Sequence, residues 1–186
     1  AGGKSPVDGA PCWIVDPIDG TNNFIAGIPI WATLVALQTE TEVVVGVCHA
    51  PALGETYDGA VGSGARLNGS NISVSDAATI EDAAFAYAGA RGFHDAGLGS
   101  MFDSLTSRCR RSRGFGDFWG HMLVARGAMD IMVEPELNIW DVAALQPIVA
   151  EAGGRLTDLS GQPWRARGPC VTTNGILHDQ VLALAP

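Results

Sequence analysis

Two apolar, β-branched runs separated by a short loop, at 30–37 and 43–47, constrain the fold of this chain most strongly. Such a pair is typical of an antiparallel hairpin, and a further run at 56–61 extends it by one strand. A shorter apolar run precedes the pair, at 13–15. We therefore predict a mostly antiparallel sheet in a first part of the chain, residues 1–78.

The second part, residues 79–186, alternates the two kinds of element. Strands are predicted at 85–88, 129–133, 155–157 and 171–173, and helices at 100–107, 117–126, 138–152 and 174–184. The helix at 138–152 has a broad apolar face, and Pro147 inside it is expected to kink it. This alternation favours an α/β architecture, so the whole chain is predicted to be a layered α/β sandwich.

Composition excludes several classes of protein. The 186 residues carry 11 Lys+Arg against 20 Asp+Glu, a net charge of −9, and 47% are hydrophobic. A disordered chain has fewer apolar residues, and a nucleic-acid binder that works through bulk positive charge is basic. The sequence has no apolar run of 18 residues for a membrane span, and residues 1–6 lack the pattern of a secretory signal.

The four cysteines, Cys12, Cys48, Cys109 and Cys170, are far apart in sequence. Their spacing excludes a zinc knuckle and a redox Cys-x-x-Cys motif. A chain of this size with a good apolar core does not need disulfides, so we expect free thiols in a reducing cytoplasm.

The segment Asp16-Pro-Ile-Asp-Gly-Thr21 is the first candidate for chemistry. Pro17 sets up a turn after an apolar strand, and the turn can bring the Asp16 and Asp19 carboxylates to one side. Two carboxylates with a carbonyl between them suit Mg²⁺ rather than zinc. The backbone N–H groups of Gly20 and Thr21, at a possible helix start, suit phosphate. The alternative is an ordinary surface turn.

Three further carboxylates have an alternative structural role at this stage. Asp141 follows Trp140 near a helix start, where the helix dipole favours an acid. Asp117 stands where an N-cap is expected, and Glu134 precedes Pro135 at a predicted strand end, where a solvated side chain is expected. The four histidines show no paired metal spacing and are expected to be surface or core residues.

Three stretches together resemble the inositol-monophosphatase superfamily of metal-dependent phosphatases. The first is Trp13-Ile-Val-Asp-Pro-Ile-Asp-Gly-Thr-Asn-Asn-Phe24, and the second runs from Gly46 to Gly69. The third is Trp140-Asp-Val-Ala-Ala144, followed by Glu151-Ala-Gly-Gly154. The resemblance implies the alternating layers of helices and sheets of that superfamily.

The resemblance also implies Mg²⁺-dependent hydrolysis of a phosphomonoester at a two- or three-metal site. It assigns metal binding to Asp16, the Ile18 carbonyl, Asp19 and Asp141. Phosphate would be held by Gly20 and Thr21, and Thr21 would also orient the attacking water. The leaving group would contact Asp117 and Glu134, and Asp141 would bind substrate as well as metal. The resemblance further implies that the protein is a cytoplasmic homodimer that acts on a small phosphomonoester.

Within the superfamily, the chain is most similar to the histidinol-phosphate phosphatases of histidine biosynthesis, especially actinobacterial ones. The stretch Arg113-Gly-Phe-Gly-Asp-Phe118 carries this likeness best, because Asp117 adds a carboxylate where inositol-specific relatives tend to have small uncharged residues. An extra acid fits a substrate that bears an ammonium group. The alternatives are an inositol monophosphatase or another small phosphomonoesterase of the superfamily.

One departure from the family pattern precedes Trp13. Family members have an N-terminal segment there that contributes helices, a Gly-Glu-Glu metal motif and an Asp partner for Thr21, and these 186 residues have none of it. Either the chain is a fragment, or the segment is missing from the sequence as given, or the protein is inactive as written and serves as an interaction module. Loss of the opening helices is expected to expose apolar sheet surface and to lower solubility.

Overall fold

Strands with alternating burial build the first sheet. The computed structural model describes residues 10–40 and 42–186, so residues 1–9, which include the segment searched for a secretory signal, lie outside the described residues. The strands are β1 (Cys12–Asp19), β2 (Ala32–Thr39), β3 (Glu42–Ala50), β4 (Glu55–Ala60), β5 (Ala65–Leu67) and β6 (Ser70–Asn71). They pair in sequence order, each antiparallel to the next. The predicted hairpin is the β2–β3 pair.

The second sheet is mixed. Its strands are β7 (Ala84–Tyr87), β8 (Arg111–Arg113), β9 (Ile131–Asn138), β10 (Arg155–Thr157) and β11 (Arg167–Thr173). Their order is β10-β11-β9-β7-β8, with β7 parallel to both of its neighbours and the other pairs antiparallel. A parallel pair needs a crossover connection, which explains why helices separate these strands in sequence.

Seven α-helices and one 3₁₀ turn accompany the sheets in the described residues. The helices are α1 (Thr21–Ile25), α2 (Ala90–Asp95), α3 (Gly99–Arg108), α4 (Asp117–Ala125), α5 (Ile139–Val142), α6 (Leu145–Glu151) and α7 (His178–Leu182). The 3₁₀ turn spans Pro51–Leu53. None of these helices is long and apolar enough to cross a membrane.

The core defines four alternating layers. One face of the first sheet packs on α4 and α6, and α4 packs in turn on β7 and β9 of the second sheet. The opposite face of the second sheet packs on α2, α3 and α7. The predicted layered α/β sandwich is therefore confirmed. The boundary near residue 78 remains a prediction: the strands of the two sheets lie on either side of it, but the core between them combines residues from both.

The outer face of the first sheet is partly apolar and exposed. On β1, the side chains of Trp13 and Val15 are 64% and 45% exposed, whereas inward-facing residues of β2 such as Leu34 are buried. The expected exposure of apolar sheet surface is thus present in the described chain, and its effect on solubility remains a prediction.

Two predicted helices are wrong in extent. The helix predicted at 138–152 is broken into α5 and α6 at Ala143–Ala144. Pro147 lacks the N–H that would bond the Ala143 carbonyl, so the interruption falls one turn before the proline rather than at it. The helix predicted at 174–184 is only α7, because Asn174 forms a turn in which its side chain accepts from the Leu177 N–H at 3.1 Å.

Two predicted strands are longer in the structure than in the sequence interpretation. Strand β1 continues through the Asp-Pro-Ile-Asp segment, so that segment is the irregular end of a strand and not a turn beyond it. Strand β9 continues past Pro135, which lies in a bulge opposite β11 where no ladder hydrogen bond is required of it. Glu134 therefore lies inside a strand, and the residue is 4% exposed rather than solvated.

Candidate active site

An irregularity at the end of β1 places two carboxylates on one side. The pairing of β1 with β2 shifts register between Asp16 and Asp19. Regular strands turn successive side chains to opposite faces, and a bulge breaks that alternation, so residues three apart can share a face. The Ile18 N–H donates to Asp16 Oδ1 at 3.0 Å, which fixes the local turn of the backbone.

The third carboxylate comes from the start of α5. Asp141 Oδ2 accepts from the backbone N–H of Asn138 at 2.7 Å in a capping box. Asp141 therefore does serve as an acid at a helix start, which was its alternative, structural role. The same geometry also aims it at the end of β1. One oxygen from each of Asp16, Asp19 and Asp141 lies within 4.8 Å of the others.

The surroundings of these three carboxylates raise the pKa of two of them. Burial raises the pKa of Asp19 well above its ordinary value, and the charges of Asp117, Glu134 and Asp141 raise it further. Burial likewise raises the pKa of Asp141, and the nearby charge of Asp16 adds to the effect. Carboxylates that repel one another in a buried site are stabilised by a cation, and oxygen ligands are those of Mg²⁺ and other hard cations. The donor set therefore fits a divalent metal.

Gly20 and Thr21 follow β1 directly. Gly20 adopts a left-handed conformation with φ of 76° at the N-cap of α1. The Thr21 hydroxyl donates to the Ile18 carbonyl at 2.8 Å. A carbonyl oxygen has two lone pairs, so this bond leaves one for a further partner. The predicted phosphate and water contacts of Gly20 and Thr21 stay predictions.

Asp117 is not the N-cap of α4. Gly116 occupies that position, and the first free amide of the helix, Phe118 N–H, donates to Asp19 Oδ2 at 2.9 Å. The Asp117 backbone is left-handed, with φ of 55°, and its Oδ2 accepts from Asn23 Nδ2 at 2.8 Å. The N-cap interpretation was therefore wrong, because Asp19 takes that role from the neighbouring sheet.

Burial raises the pKa of Asp117 to about 6, and the charges of Glu134 and Asp141 contribute in the same direction. Glu134 is buried, and its Oε2 lies 3.0 Å from His121 Nε2. These two side chains come from α4 and β9, so the second sheet and its covering helix supply one wall of the site.

All the predicted site residues line one cavity of about 570 Å³. They are Asp16, Ile18, Asp19, Gly20, Thr21, Asp117, Glu134 and Asp141. The described residues that line this cavity include six carboxylates, with Glu136 the sixth, and no lysine or arginine. A second cleft of about 590 Å³, between α6 and β10, contains none of the predicted residues.

Sequence reasoning missed two residues that support the site. Asn23 holds Asp117, and His121 bonds Glu134. His121 stands four positions after Asp117 on α4, a spacing that places both on one helix face, and this was the available signal. Asn23 lies within the first family stretch, but its partner is 94 positions away and local sequence does not reveal it.

Solved structures share this fold over nearly the whole chain. The Thermotoga maritima IMPase matches with a TM-score of 0.86 and 37% identity, covering 97% of this chain and 69% of that one. An inositol monophosphatase from Zymomonas mobilis matches with a TM-score of 0.90 and 31% identity, covering 98% and 73%. Fold and site together define a layered α/β phosphatase with an acidic centre whose carboxylates could hold a metal ion.

The chain belongs to the inositol monophosphatase family, whose model matches residues 1–186, and it is a phosphatase of that metal-dependent family. Histidinol-phosphatases of Mycobacterium tuberculosis and Streptomyces coelicolor are 46% and 42% identical to it, over 91% of this chain and 67% of each relative. A fructose-1,6-bisphosphatase/inositol-1-monophosphatase of Thermotoga maritima is 40% identical. The chain spans about two thirds of the length of these relatives.

Proposed function

We propose that this phosphatase is Mg²⁺-dependent and hydrolyses L-histidinol phosphate to histidinol and phosphate, as a step of histidine biosynthesis. The observation that carries the proposal is the pair Asp117 and Glu134, two buried or part-buried carboxylates on the same cavity as the three-carboxylate cluster. Histidinol carries an ammonium group, and facing carboxylates favour a cation over a neutral alcohol. The two histidinol-phosphatases at 46% and 42% identity support the same substrate.

The residues that would hold the metal in this proposal are Asp16, Asp19 and Asp141, together with the Ile18 carbonyl. Bound Mg²⁺ supplies an acidified water and neutralises the charge that develops on the phosphoryl group and the leaving oxygen. Asp19 Oδ2 accepts from the Phe118 N–H at 2.9 Å, and that bond leaves Oδ1 without this partner. This division of its two oxygens fixes the carboxylate at the start of α4.

The remaining residues act on substrate and water. The N–H groups of Gly20 and Thr21 bind phosphate oxygens at the end of β1, and the Thr21 hydroxyl orients the attacking water. Asp117 and Glu134 bind the ammonium of the leaving alcohol from the opposite wall. Because the described residues that line the cavity include no lysine or arginine, the metal would supply the positive partner of the phosphate on this part of the wall.

The first experiment measures phosphate release from L-histidinol phosphate and from inositol 1-phosphate, with Mg²⁺ and with chelator. It uses the 186-residue chain and a form extended by the upstream segment of its relatives. We expect release that needs Mg²⁺, with a preference for histidinol phosphate of at least about tenfold in kcat/KM. Asp19→Asn is expected to abolish release, while its melting temperature in chelator stays near that of the metal-free parent. Full activity in Asp19→Asn would contradict the metal assignment.

A second candidate substrate is inositol phosphate or a sugar bisphosphate, because the Thermotoga maritima relative at 40% identity has both activities in its name. A preference for histidinol phosphate below tenfold would favour this candidate. Asp117→Asn separates the two: with histidinol phosphate it should lower kcat/KM about tenfold, whereas turnover of inositol phosphate should stay within about threefold.

The proposal includes a cytoplasmic homodimer that binds neither nucleic acid nor membrane. The four free cysteines and the net charge of −9 support the location and the lack of a nucleic-acid partner. Exposed apolar side chains on and after α1, at Phe24, Ile25 and Ile28, support self-association. Sedimentation equilibrium tests the dimer, and a monomer at all concentrations would contradict it.

A further inference from the structure

A fully buried histidine lies directly behind Glu134. His121 is 0% exposed and stands on α4, one turn after Asp117. Its Nε2 lies 3.0 Å from Glu134 Oε2, and its Nδ1 lies 2.7 Å from Thr172 Oγ1. Thr172 is also 0% exposed. The three side chains form a buried chain of hydrogen bonds that ends at the cavity.

The two partners of His121 come from adjacent strands of the second sheet. Glu134 on β9 is opposite Cys170 on β11, and Thr172 is opposite Met132. Glu134 and Met132 are two residues apart and therefore share the face of β9 toward α4. The imidazole is thus held between helix and sheet by both of its nitrogens, and it cannot rotate without losing a bond.

The chemistry of the pair sets the direction of the bond. When the Glu134 carboxylate is ionised it can only accept, and His121 Nε2 then carries the hydrogen and donates it to Glu134. The Thr172 hydroxyl forms a hydrogen bond with the other ring nitrogen, Nδ1, and so fixes the orientation of the imidazole. The Glu134 carboxylate faces two carboxylates of like charge, and its charge contributes to the raised pKa of both Asp19 and Asp117. A donor behind it holds it in place against that repulsion.

We propose that His121, fixed by Thr172, is a positioning residue that holds the Glu134 carboxylate toward the leaving-group side of the cavity. Through Glu134 it sets the preference for a cationic leaving alcohol over a neutral one. The inference rests on the proposed function for its substrate, and on the hydrogen-bond geometry alone for its positioning. His121 itself is not among the residues that line the cavity, so it acts through Glu134.

The kinetic test compares His121→Leu, Glu134→Gln and the double variant, on histidinol phosphate and on a neutral-alcohol substrate, glycerol phosphate. His121→Leu should raise KM for histidinol phosphate about tenfold, with kcat little changed and glycerol phosphate turnover within about threefold. When Glu134→Gln is already present, adding His121→Leu should raise KM by less than about a further twofold, because the carboxylate through which His121 acts has already been removed. His121→Gln, which keeps a donor near Nε2, should restore most of the preference.

A matched control is available elsewhere in the chain. His178 is also buried, between the hydroxyls of Thr157 at 2.8 Å and Thr173 at 3.0 Å, and neither it nor its partners line the cavity. His178→Leu should lower the melting temperature as His121→Leu does, but leave the substrate preference unchanged. Equal losses of preference in both variants would show that any buried histidine acts through stability, and would overturn the proposal.

Crystal structures of the variants test the role of His121 independently of the substrate. In crystal structures of the variants, the Glu134 carboxylate should leave its present position in His121→Leu and keep it in His121→Gln. If the parent hydrolyses neither phosphate ester, the substrate proposal fails, and the position of Glu134 in these variants still decides the positioning role. Glu134 unmoved in His121→Leu, or additive effects in the double variant, would overturn it.

Discussion

Asp117 shows at the scale of one residue how the site combines strain, hydrogen bonding and charge. Its left-handed backbone is uncommon for a side chain other than glycine, but aspartate and asparagine tolerate it. Asn23 holds its carboxylate, and burial raises its pKa to about 6. The native protein without metal therefore binds a proton here that the unfolded chain releases at lower pH.

The sign of the stability effect follows from this difference. Between about pH 4 and pH 6 the native state holds more protons at Asp117 than the unfolded state, so the free energy of unfolding falls as pH rises. Asp117→Asn removes the titration and keeps the backbone conformation. We expect the metal-free variant to be more stable than the parent at pH 7 by about 2 kcal/mol, and nearly equal at pH 4. Urea unfolding at both pH values, with chelator present, measures this.

His178 provides the opposite trend within the same molecule. Burial lowers its pKa to about 4, so the native state binds fewer protons there than the unfolded state. Its contribution to stability is lost as pH falls from about 6.5 toward 4. The comparison of Asp117→Asn with the parent cancels this term, since both carry His178. If Asp117→Asn were no more stable than the parent at pH 7, the raised pKa of Asp117 would be contradicted.

At this scale the sequence predicted which residues gather, but not how each is held. The aspartates of the first and third family stretches were found from motif and residue type. The alternative roles assigned to Asp117 and Glu134 were wrong. Asn23 bonds Asp117 from 94 positions away, and the bond from His121 to Glu134 depends on how α4 packs on β9. Hydrogen bonds across 94 positions are invisible to local patterns.

At the scale of elements, glycines on the first sheet decide how closely α6 approaches it. A Cβ at Gly46 would clash with the Ala144 carbonyl oxygen and lie 2.9 Å from Pro147 Cγ. A Cβ at Gly59 on β4 would lie 2.8 Å from Ile148 Cα. Backbone therefore packs on backbone where α5 ends and α6 begins, and the helix break lies over Gly46.

Gly46→Ala is predicted to be strongly destabilising, by about 3 kcal/mol or more, because the clash is with backbone that cannot move alone. Gly89→Ala is the matched control: Gly89 has an extended backbone and nothing within 4 Å of a built Cβ. Thermal unfolding of the two variants compares them. Similar melting temperatures would mean that α6 is not held against the sheet at this point.

Substitution of Gly20 is predicted to disturb the geometry of the site as well as the stability of the fold. It has a φ of 76°, and a Cβ there would lie 2.8 Å from the Ile30 carbonyl oxygen and 3.3 Å from Asp117 Oδ2. Gly54 has a φ of 65° with no atom that close. Gly20→Ala and Gly54→Ala should each lose about 1 kcal/mol to backbone strain, but only Gly20→Ala should lose further stability and weaken activity. Unfolding and phosphate-release assays on both variants separate strain from crowding.

Element boundaries show where local sequence stops being informative. The hairpin strands and α4 were predicted within a few residues, since their apolar periodicity is strong. The ends of β1 and β9 were missed because prolines normally end strands, and here bulges accommodate Pro17 and Pro135. The split of the helix at 138–152 follows from Pro147, but its position over Gly46 of another element is not visible in local sequence.

At the scale of the whole molecule, the site draws from three of the four layers. Asp16 and Asp19 come from the first sheet, Asp117 and Asp141 from the helices between the sheets, and Glu134 from the second sheet. The class of the fold was predicted from the order of strands and helices in the two halves of the sequence. The packing of one half on the other followed only from the family resemblance, because periodicity does not say which faces meet.

Divalent metal is predicted to stabilise the whole fold. A cation that binds the native cluster and not the unfolded chain adds about 2.7 kcal/mol when its concentration is a hundred times its dissociation constant. Addition of Mg²⁺ at pH 7.5 should therefore raise the melting temperature of the parent by several degrees. Asp19→Asn and Asp141→Asn should show little rise. An equal rise in both variants would place the stabilising metal elsewhere.

The origin of the cluster in separate layers has a consequence for the order of folding. Asp16 and Asp19 are made by the first sheet, but Asp141 joins them only after α5 has docked, more than a hundred positions later in the chain. Contacts this distant in sequence form late, because loop closure must precede them. A nascent or half-folded chain thus presents two carboxylates and not the full set, so under the proposed metal assignment tight capture of a cation would report that folding is complete.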